Sequence, residues 1–235
     1  MSDAQTNPLS WHCEFTYKND ARSRVWLARD EQGARWVIKM FKHASWRQRL
    51  GLWFGLHPGK REKQVHERLA RAGVNVLPIE CDGEQRVGVL GCHYWSMTRY
   101  VGMSAYHWVL YGMAADQPRE RHILTRNLAK LAASLLCRGL VHADHKASNI
   151  LLESGNVQKL RLIDAGSVRR RIRSSEAKNM FELLHANLHH AVVHSINPRK
   201  SKVTRTDRLR YWRTLCKAWP DAPRVLGDLS RTFEG

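Results

Sequence analysis

Between His142 and Gly166 the chain carries two short apolar runs bounded by polar residues that a strand does not need. His142-Ala143-Asp144-His145-Lys146-Ala147-Ser148-Asn149 leads into Ile150-Leu151-Leu152, and Leu162-Ile163 leads into Asp164-Ala165-Gly166. Apolar runs of this length between turn-formers read as short buried strands. Taken singly, Asp144 and Asn149 would cap turns and Asp164 would end a strand. Taken in order, they suit phosphoryl transfer, in which a protein mainly positions groups and neutralises charge. Asp144 can accept or orient the proton of an attacking hydroxyl. Lys146, two residues on, can reach a terminal phosphate from the same loop. Asn149 and Asp164 offer oxygen ligands, which suit a hard cation such as Mg²⁺.

The upstream half supplies matching parts. Trp36-Val37-Ile38-Lys39-Met40-Phe41 is an apolar strand interrupted by one lysine, the type of signal given by a lysine that grips α- and β-phosphates. Its partner should be a glutamate on the next helix. Arg61 to Ala72 has helical spacing, with Val65, Leu69 and Ala72 on one face. Glu62 shares that face and Glu67 lies opposite, so Glu62 is the expected partner of Lys39 and Glu67 the solvated alternative. Gly73 is the expected helix stop. No Gly-x-Gly-x-x-Gly precedes Lys39. The turn between the first two expected strands is Lys18-Asn19-Asp20-Ala21-Arg22-Ser23-Arg24, where Asn and Asp tolerate turn conformations and Arg22 or Arg24 could add charge near phosphate.

On these residues the chain resembles the lipopolysaccharide core sugar kinases, the Kdo/WaaP family, distant relatives of eukaryotic-type protein kinases. The resemblance spans roughly Phe15 to His190. It rests on Lys39, on Glu62 with the following Ala72-Gly73-Val74 and Pro78, on the His142–Asn149 loop, and on Asp164. The loop and the Ile-Asp-Ala-Gly element are also shared by antibiotic kinases and atypical protein kinases. The resemblance implies an α+β, two-lobed protein-kinase-like fold. A small, mostly antiparallel β lobe would cover about 1–100 and a larger helical lobe about 102–235. It also implies ATP and Mg²⁺ as cofactors, with Asp144 and Lys146 catalytic and Asn149 and Asp164 on the metal. Lys39 and Glu62 would serve the nucleotide phosphates, and the hinge residues Thr98, Arg99, Tyr100 and Val101 the adenine. The acceptor would be a hydroxyl of an inner-core sugar, Kdo or heptose, at the cytoplasmic face of a Gram-negative inner membrane. No Ala-Pro-Glu follows Asp164, and a helical pattern resumes by about Glu176 through Met180, Leu183, Leu184 and Leu188. That leaves little room for a peptide-binding shelf, and a compact sugar fits better.

A chain of 235 residues, 43% hydrophobic, can bury a sizeable core in one domain or two lobes. His122 to Leu136 reads as a core helix with Leu124, Leu128, Leu131 and Leu135 inward. The five cysteines, at 13, 81, 92, 137 and 216, form no close pair and fit reduced cytosolic thiols. Met1 to Cys13 lacks a signal-peptide pattern, and no stretch reaches the apolar length that spans a bilayer. The expectation is a cytoplasmic protein, soluble or peripheral on the membrane. Thirty-nine Lys and Arg against twenty-one Asp and Glu give a net charge of +18. Such a balance calls for a polyanionic partner: an anionic glycolipid, an acidic membrane surface or, less favoured, nucleic acid. The alternative reading is an atypical, ribosome-associated-like serine/threonine kinase or a basic nucleic-acid-binding protein on a kinase scaffold, although no RNA-recognition motif is present. Between His43 and Arg61, Trp46, Trp53 and Phe54 alternate with Arg47 and Arg49 and could sit in a headgroup layer. Arg199 to Lys217 reads as a terminal helix with Leu209, Trp212, Leu215 and Trp219 inward and Arg205, Arg208, Arg210, Arg213 and Lys217 outward. His185, His189, His190 and His194 read as a metal-free helix face.

Overall fold

Two kinds of periodicity divide the chain, and the computed structural model follows them. It describes residues 8–42, 57–87, 91–170 and 173–227; the aromatic insert with Trp46, Arg47, Arg49, Trp53 and Phe54 lies outside the described residues. The chain falls into two compact units, Met1–Arg68 with Leu77–Tyr100, and Leu69–Val76 with Val101–Gly235.

The first unit is built on strands β1 (His12–Asn19), β2 (Ser23–Arg29) and β3 (Arg35–Phe41), helix α1 (Pro58–Arg71), and strands β4 (Cys81–Val87) and β5 (Gly91–Arg99). The strands form one antiparallel sheet in the order β1-β2-β3-β5-β4. The β1–β2 turn is closed by Asp20, whose Oδ1 accepts the N–H groups of Arg22 at 2.8 Å and Ser23 at 2.7 Å. Trp26, Ala28, Ile38 and Met97 form the sheet's core, with Leu9, Trp11, Trp36, Met40 and Trp95 packed around them. In α1 the buried residues are Gly59, Glu62, His66 and Leu69, spaced for a single face. His66 Nδ1 meets the Leu77 carbonyl at 3.1 Å. The helix stops at Gly73, whose φ of +73° is the left-handed conformation that glycine adopts without Cβ strain.

The second unit holds α2 (Ala105–Leu110), α3 (Met113–Asp116), α4 (Pro118–Leu136), β6 (Leu140–His142), β7 (Ile150–Leu152), β8 (Leu160–Leu162), β9 (Val168–Arg170), α5 (Ser174–Val193), α6 (Pro198–Ser201), α7 (Arg205–Ala218) and α8 (Ala222–Val225). Leu124, Leu128, Leu131 and Leu135 of α4 are all buried. The short strands pair as two antiparallel ladders, β6 with β9 and β7 with β8. Residues 69–76 count with this unit because of what they bond. Asn75 accepts the Leu162 N–H at 2.8 Å and the Arg161 guanidinium at 2.7 Å, and Arg138 donates to the Ala72 carbonyl.

Helix α7 departs from its expected inward stripe. Leu215 and Trp219 are buried, but Leu209 and Trp212 are only partly so, and Asp207 and Tyr211 are buried instead. The cause is a capping box: Thr204 Oγ1 accepts the Asp207 N–H at 3.1 Å, and Asp207 Oδ2 accepts the Thr204 N–H at 3.0 Å. Arg121 of α4 and Arg210 then pair with the Asp207 carboxylate. Thus Arg210 and Arg208 do not belong to the outer basic face, where Arg205, Arg213 and Lys217 are exposed.

Candidate active site

In the first unit, Lys39 sits mid-strand on β3, opposite Val25 of β2 and Ser96 of β5. Strand alternation turns it away from the buried Ile38 on the core side. Its Nζ lies 2.9 Å from Glu62 Oε1 and 2.8 Å from Oε2, a charge-assisted contact to both carboxylate oxygens. Glu62 is buried, whereas Glu67 is exposed. The lysine head also stands 4.9 Å from the centre of the Phe41 ring.

The expected adenine-binding stretch is partly committed to other bonds. Thr98 and Arg99 close β5 against Val37 and Trp36 of β3. The Tyr100 N–H donates to the Arg35 carbonyl at 2.9 Å, and the Arg35 guanidinium stacks 4.6 Å from the Tyr100 ring. Within the second unit, the Val101 carbonyl accepts the Ser154 N–H at 2.7 Å. Two of the backbone groups that could have met an adenine therefore already hold protein partners.

The second unit gathers the remaining motif residues. β6 ends at His142, and the chain then turns through Asp144 to a single 3-10 turn at Ala147–Asn149 before entering β7. The Asp144 carboxylate is clamped from both sides. Lys146 Nζ lies 2.6 Å from Oδ1, and the Asn149 amide nitrogen donates to Oδ2 at 3.2 Å and to the Asp144 carbonyl at 2.9 Å. Asn149 is thereby oriented, with its carboxamide oxygen as the atom for a cation. The register Ile150 to Leu162 brings Asp164 to the same ladder end, and the Ile163 N–H donates to the Asn149 carbonyl at 2.9 Å. Asp164 adopts φ +55° and ψ +45°, a left-handed backbone that Asp tolerates better than most residues and that still costs on the order of 1 kcal/mol. Oxygen donors of this kind fit a hard divalent cation. Among the described residues no three His, Cys, Asp or Glu side chains gather as a metal site.

Three supporting residues carry no motif signal. Ser167, three residues past Asp164, places its hydroxyl 3.1 Å from His142 Nδ1, the nitrogen that also accepts the Asp144 N–H at 3.2 Å. The buried His142 ring thus ties the acidic strand end to the Asp144 loop. Burial holds its pKa below the usual imidazole range, and the Asp164 charge opposes that only in part, so the ring stays a neutral acceptor. Asn187 of α5 accepts the Ser148 N–H at 3.0 Å and fixes the loop's middle. His145 is fully buried, and among the described residues no group bonds either ring nitrogen. Burial first, and His142 beside it, push its pKa down to about 3. The expected histidine face of α5 bonds to an aromatic ring, the Tyr106 hydroxyl lying 2.8 Å from His190 Nδ1.

A cavity lies elsewhere in this unit. It has a volume of about 100 Å³ and is walled largely by apolar side chains, among them Trp108, Leu128, Phe181 and Leu188, with Tyr211 and Arg208 on its lining. The Tyr211 hydroxyl and the Arg208 Nε are buried, with no partner among the described residues.

No family model matches the chain, and no curated protein sequence does. Among solved structures, one described as WaaP in complex with acyl carrier protein matches it with a TM-score of 0.59 and 18% identity, over 94% of this chain and 87% of that one. At such identity the likeness is one of fold: the antiparallel sheet followed by a helical part is the kinase-like α+β fold of WaaP.

Proposed function

We propose that this chain is a kinase that transfers the γ-phosphate of ATP to a sugar hydroxyl of the lipopolysaccharide inner core. The observation that carries the reading is the loop itself: a carboxylate held by Lys146 and Asn149, with a second carboxylate, Asp164, at the paired strand end. In this reading the acceptor hydroxyl attacks the γ-phosphorus, the bond to the β–γ bridging oxygen breaks, and ADP leaves. Asp144 orients the hydroxyl and takes its proton. Lys146 exchanges its contact with Asp144 for one with the γ-phosphate. The oxygens of Asn149 and Asp164 would hold Mg²⁺, which would neutralise phosphate charge. Lys39, kept in place by Glu62, serves the α- and β-phosphates, and Thr98, Arg99, Tyr100 and Val101 mark the stretch nearest the adenine.

A sugar acceptor is favoured over a peptide because β9 ends at Arg170 and α5 begins at Ser174, leaving no length for a peptide platform. A cytoplasmic, membrane-peripheral location goes with a lipid-linked acceptor, and no helix among the described residues is long and apolar enough to cross a membrane. The WaaP structure was solved with acyl carrier protein, which makes such a carrier a candidate partner here as well.

Asp144→Asn tests the reading. The variant should fold and bind ATP with Mg²⁺ as the native chain does, yet lose transfer by about a hundredfold or more, because only the acceptor proton has lost its base. Near-native turnover would remove Asp144 from the mechanism.

A further inference from the structure

Five large apolar side chains are exposed among the described residues, and three of them gather at one place: Tyr111, Val193 and Ile196, at 53%, 54% and 78%. They meet where α2 and α5 end. The Ile196 N–H donates to the Leu110 carbonyl at 3.1 Å, and a Cβ built on Gly112 would stand 3.8 Å from the Ile196 Cβ. This is not a loose loop. Ser195, buried, donates from Oγ to the Val109 carbonyl at 3.1 Å and accepts the Asn197 N–H at 3.3 Å. Its Oγ also lies 3.1 Å from that of the buried Ser201. The turn therefore fixes its polar residue inside and its isoleucine outside, the reverse of ordinary burial.

Along the chain on either side of Ile196 the charge is of one sign. From Val193 to Arg205 the sequence has no Asp or Glu, and Arg199, Lys202 and Arg205 are exposed. The exposed carboxylates on the described elements packed here are Asp116 of α3, which neighbours α6, and Glu182 of α5, which lies three helical turns before Val193 and pairs with Lys178. Beside the apolar tip runs a row of rings. Tyr111 stacks on His107 at 5.7 Å between centroids, His107 meets Tyr106 at 5.5 Å, Tyr106 stacks on His190 at 5.9 Å, and His190 lies 4.4 Å from His194.

We infer that this corner of the second unit, Tyr111 with Val193 and Ile196, docks on an anionic lipid bilayer. Aliphatic side chains beside a tyrosine, followed in the chain by exposed cations, are the composition of a membrane-interface contact. The aliphatics enter the acyl boundary, the tyrosine sits among the headgroups, and Arg199 and Lys202 face lipid phosphates. A second copy of the same chain is the less favoured occupant, since two such faces would bring their cations together. The inference does not depend on the kinase reading, because its readout is binding.

The test is sedimentation of the full chain with vesicles of phosphatidylcholine containing 30% phosphatidylglycerol, against phosphatidylcholine alone. The native chain should bind the anionic vesicles, bind the neutral ones weakly, and lose binding in high salt. Arg199→Ala with Lys202→Ala should weaken binding about fivefold per cation, corresponding to the roughly 1 kcal/mol that each contributes near an acidic surface. Ile196→Asp should weaken it at least about tenfold by placing a charge at the acyl boundary. All three sites are exposed, so thermal melts should stay native. Absence of native binding to anionic vesicles would overturn the inference. So would unchanged binding in both variants, which would put the membrane contact elsewhere on the chain. A native dimer that Ile196→Asp dissociates, with no vesicle binding, would assign the face to self-association and likewise overturn it.

Discussion

His145 should make this protein sensitive to acid, and replacing it should remove part of that sensitivity. The ring is wholly buried, with no partner for either nitrogen among the described residues and a folded pKa of about 3, against about 6.5 when unfolded. Between those values the unfolded chain binds a proton that the folded chain refuses, so stability rises with pH across the window. The contribution is fully present above about 6.5 and is lost as pH falls toward 3. At pH 5 the unfolded state gains about 1.5 units of protonation free energy, or about 2 kcal/mol, at about 1.36 kcal/mol per unit. His145→Leu deletes this linkage while keeping an apolar body of similar size. It also removes two buried polar atoms that lack a partner among the described residues, which should add about 1–3 kcal/mol at pH 7. Urea unfolding followed by tryptophan fluorescence, for both proteins at pH 7 and pH 5, gives the comparison. The native chain should lose about 2 kcal/mol more than the variant on acidification. Equal losses would show that His145 is either solvated or bonded in the folded chain, and the buried, neutral ring would be refuted.

Two further substitutions probe other parts of the account. Asp164→Ala should abolish most of the Mg²⁺-dependent gain in ATP affinity, leaving metal-free binding near native, as measured by calorimetric titration with and without Mg²⁺; an unchanged metal-dependent gain would exclude Asp164 as a ligand. Gly102→Ala should cost about 3 kcal/mol, or about 10 °C in melting temperature, because a Cβ there would stand 2.2 Å from the Leu152 carbonyl at a φ of +150°; a native melting curve would mean that this backbone crossing is looser than it looks.

What could be read from the residues differs by the range over which each signal acts. The Lys39 strand, the helix bearing Glu62 and the leucines of α4 follow from local periodicity, which needs no knowledge of distant partners. Asn187 reaches Ser148 across 39 positions, and its spacing on α5 says nothing of that bond. Ser167 matters only because β9 pairs with β6 and sets its hydroxyl against His142. His145 lies between two motif residues, and no local pattern distinguishes a buried ring from an exposed one. The expected stripe on α7 failed at Leu209 and Trp212 because the Thr204–Asp207 capping box and Arg121 pulled a carboxylate inward, a tertiary demand that helical spacing cannot anticipate. Tyr100 and Val101 were legible as the end of a strand, but not the partners that already hold the Tyr100 N–H and the Val101 carbonyl.

The claim that this is a sugar-directed kinase is tested most directly by transfer of label from γ-labelled ATP, with Mg²⁺, to acceptors offered in parallel: inner-core glycolipid, its delipidated oligosaccharide, a basic protein and an aminoglycoside. The account requires label in the glycolipid and in the oligosaccharide, absent without Mg²⁺ and absent with Asp144→Asn. Label confined to the basic protein or to the aminoglycoside, or label that persists in the Asp144→Asn reaction, would contradict it.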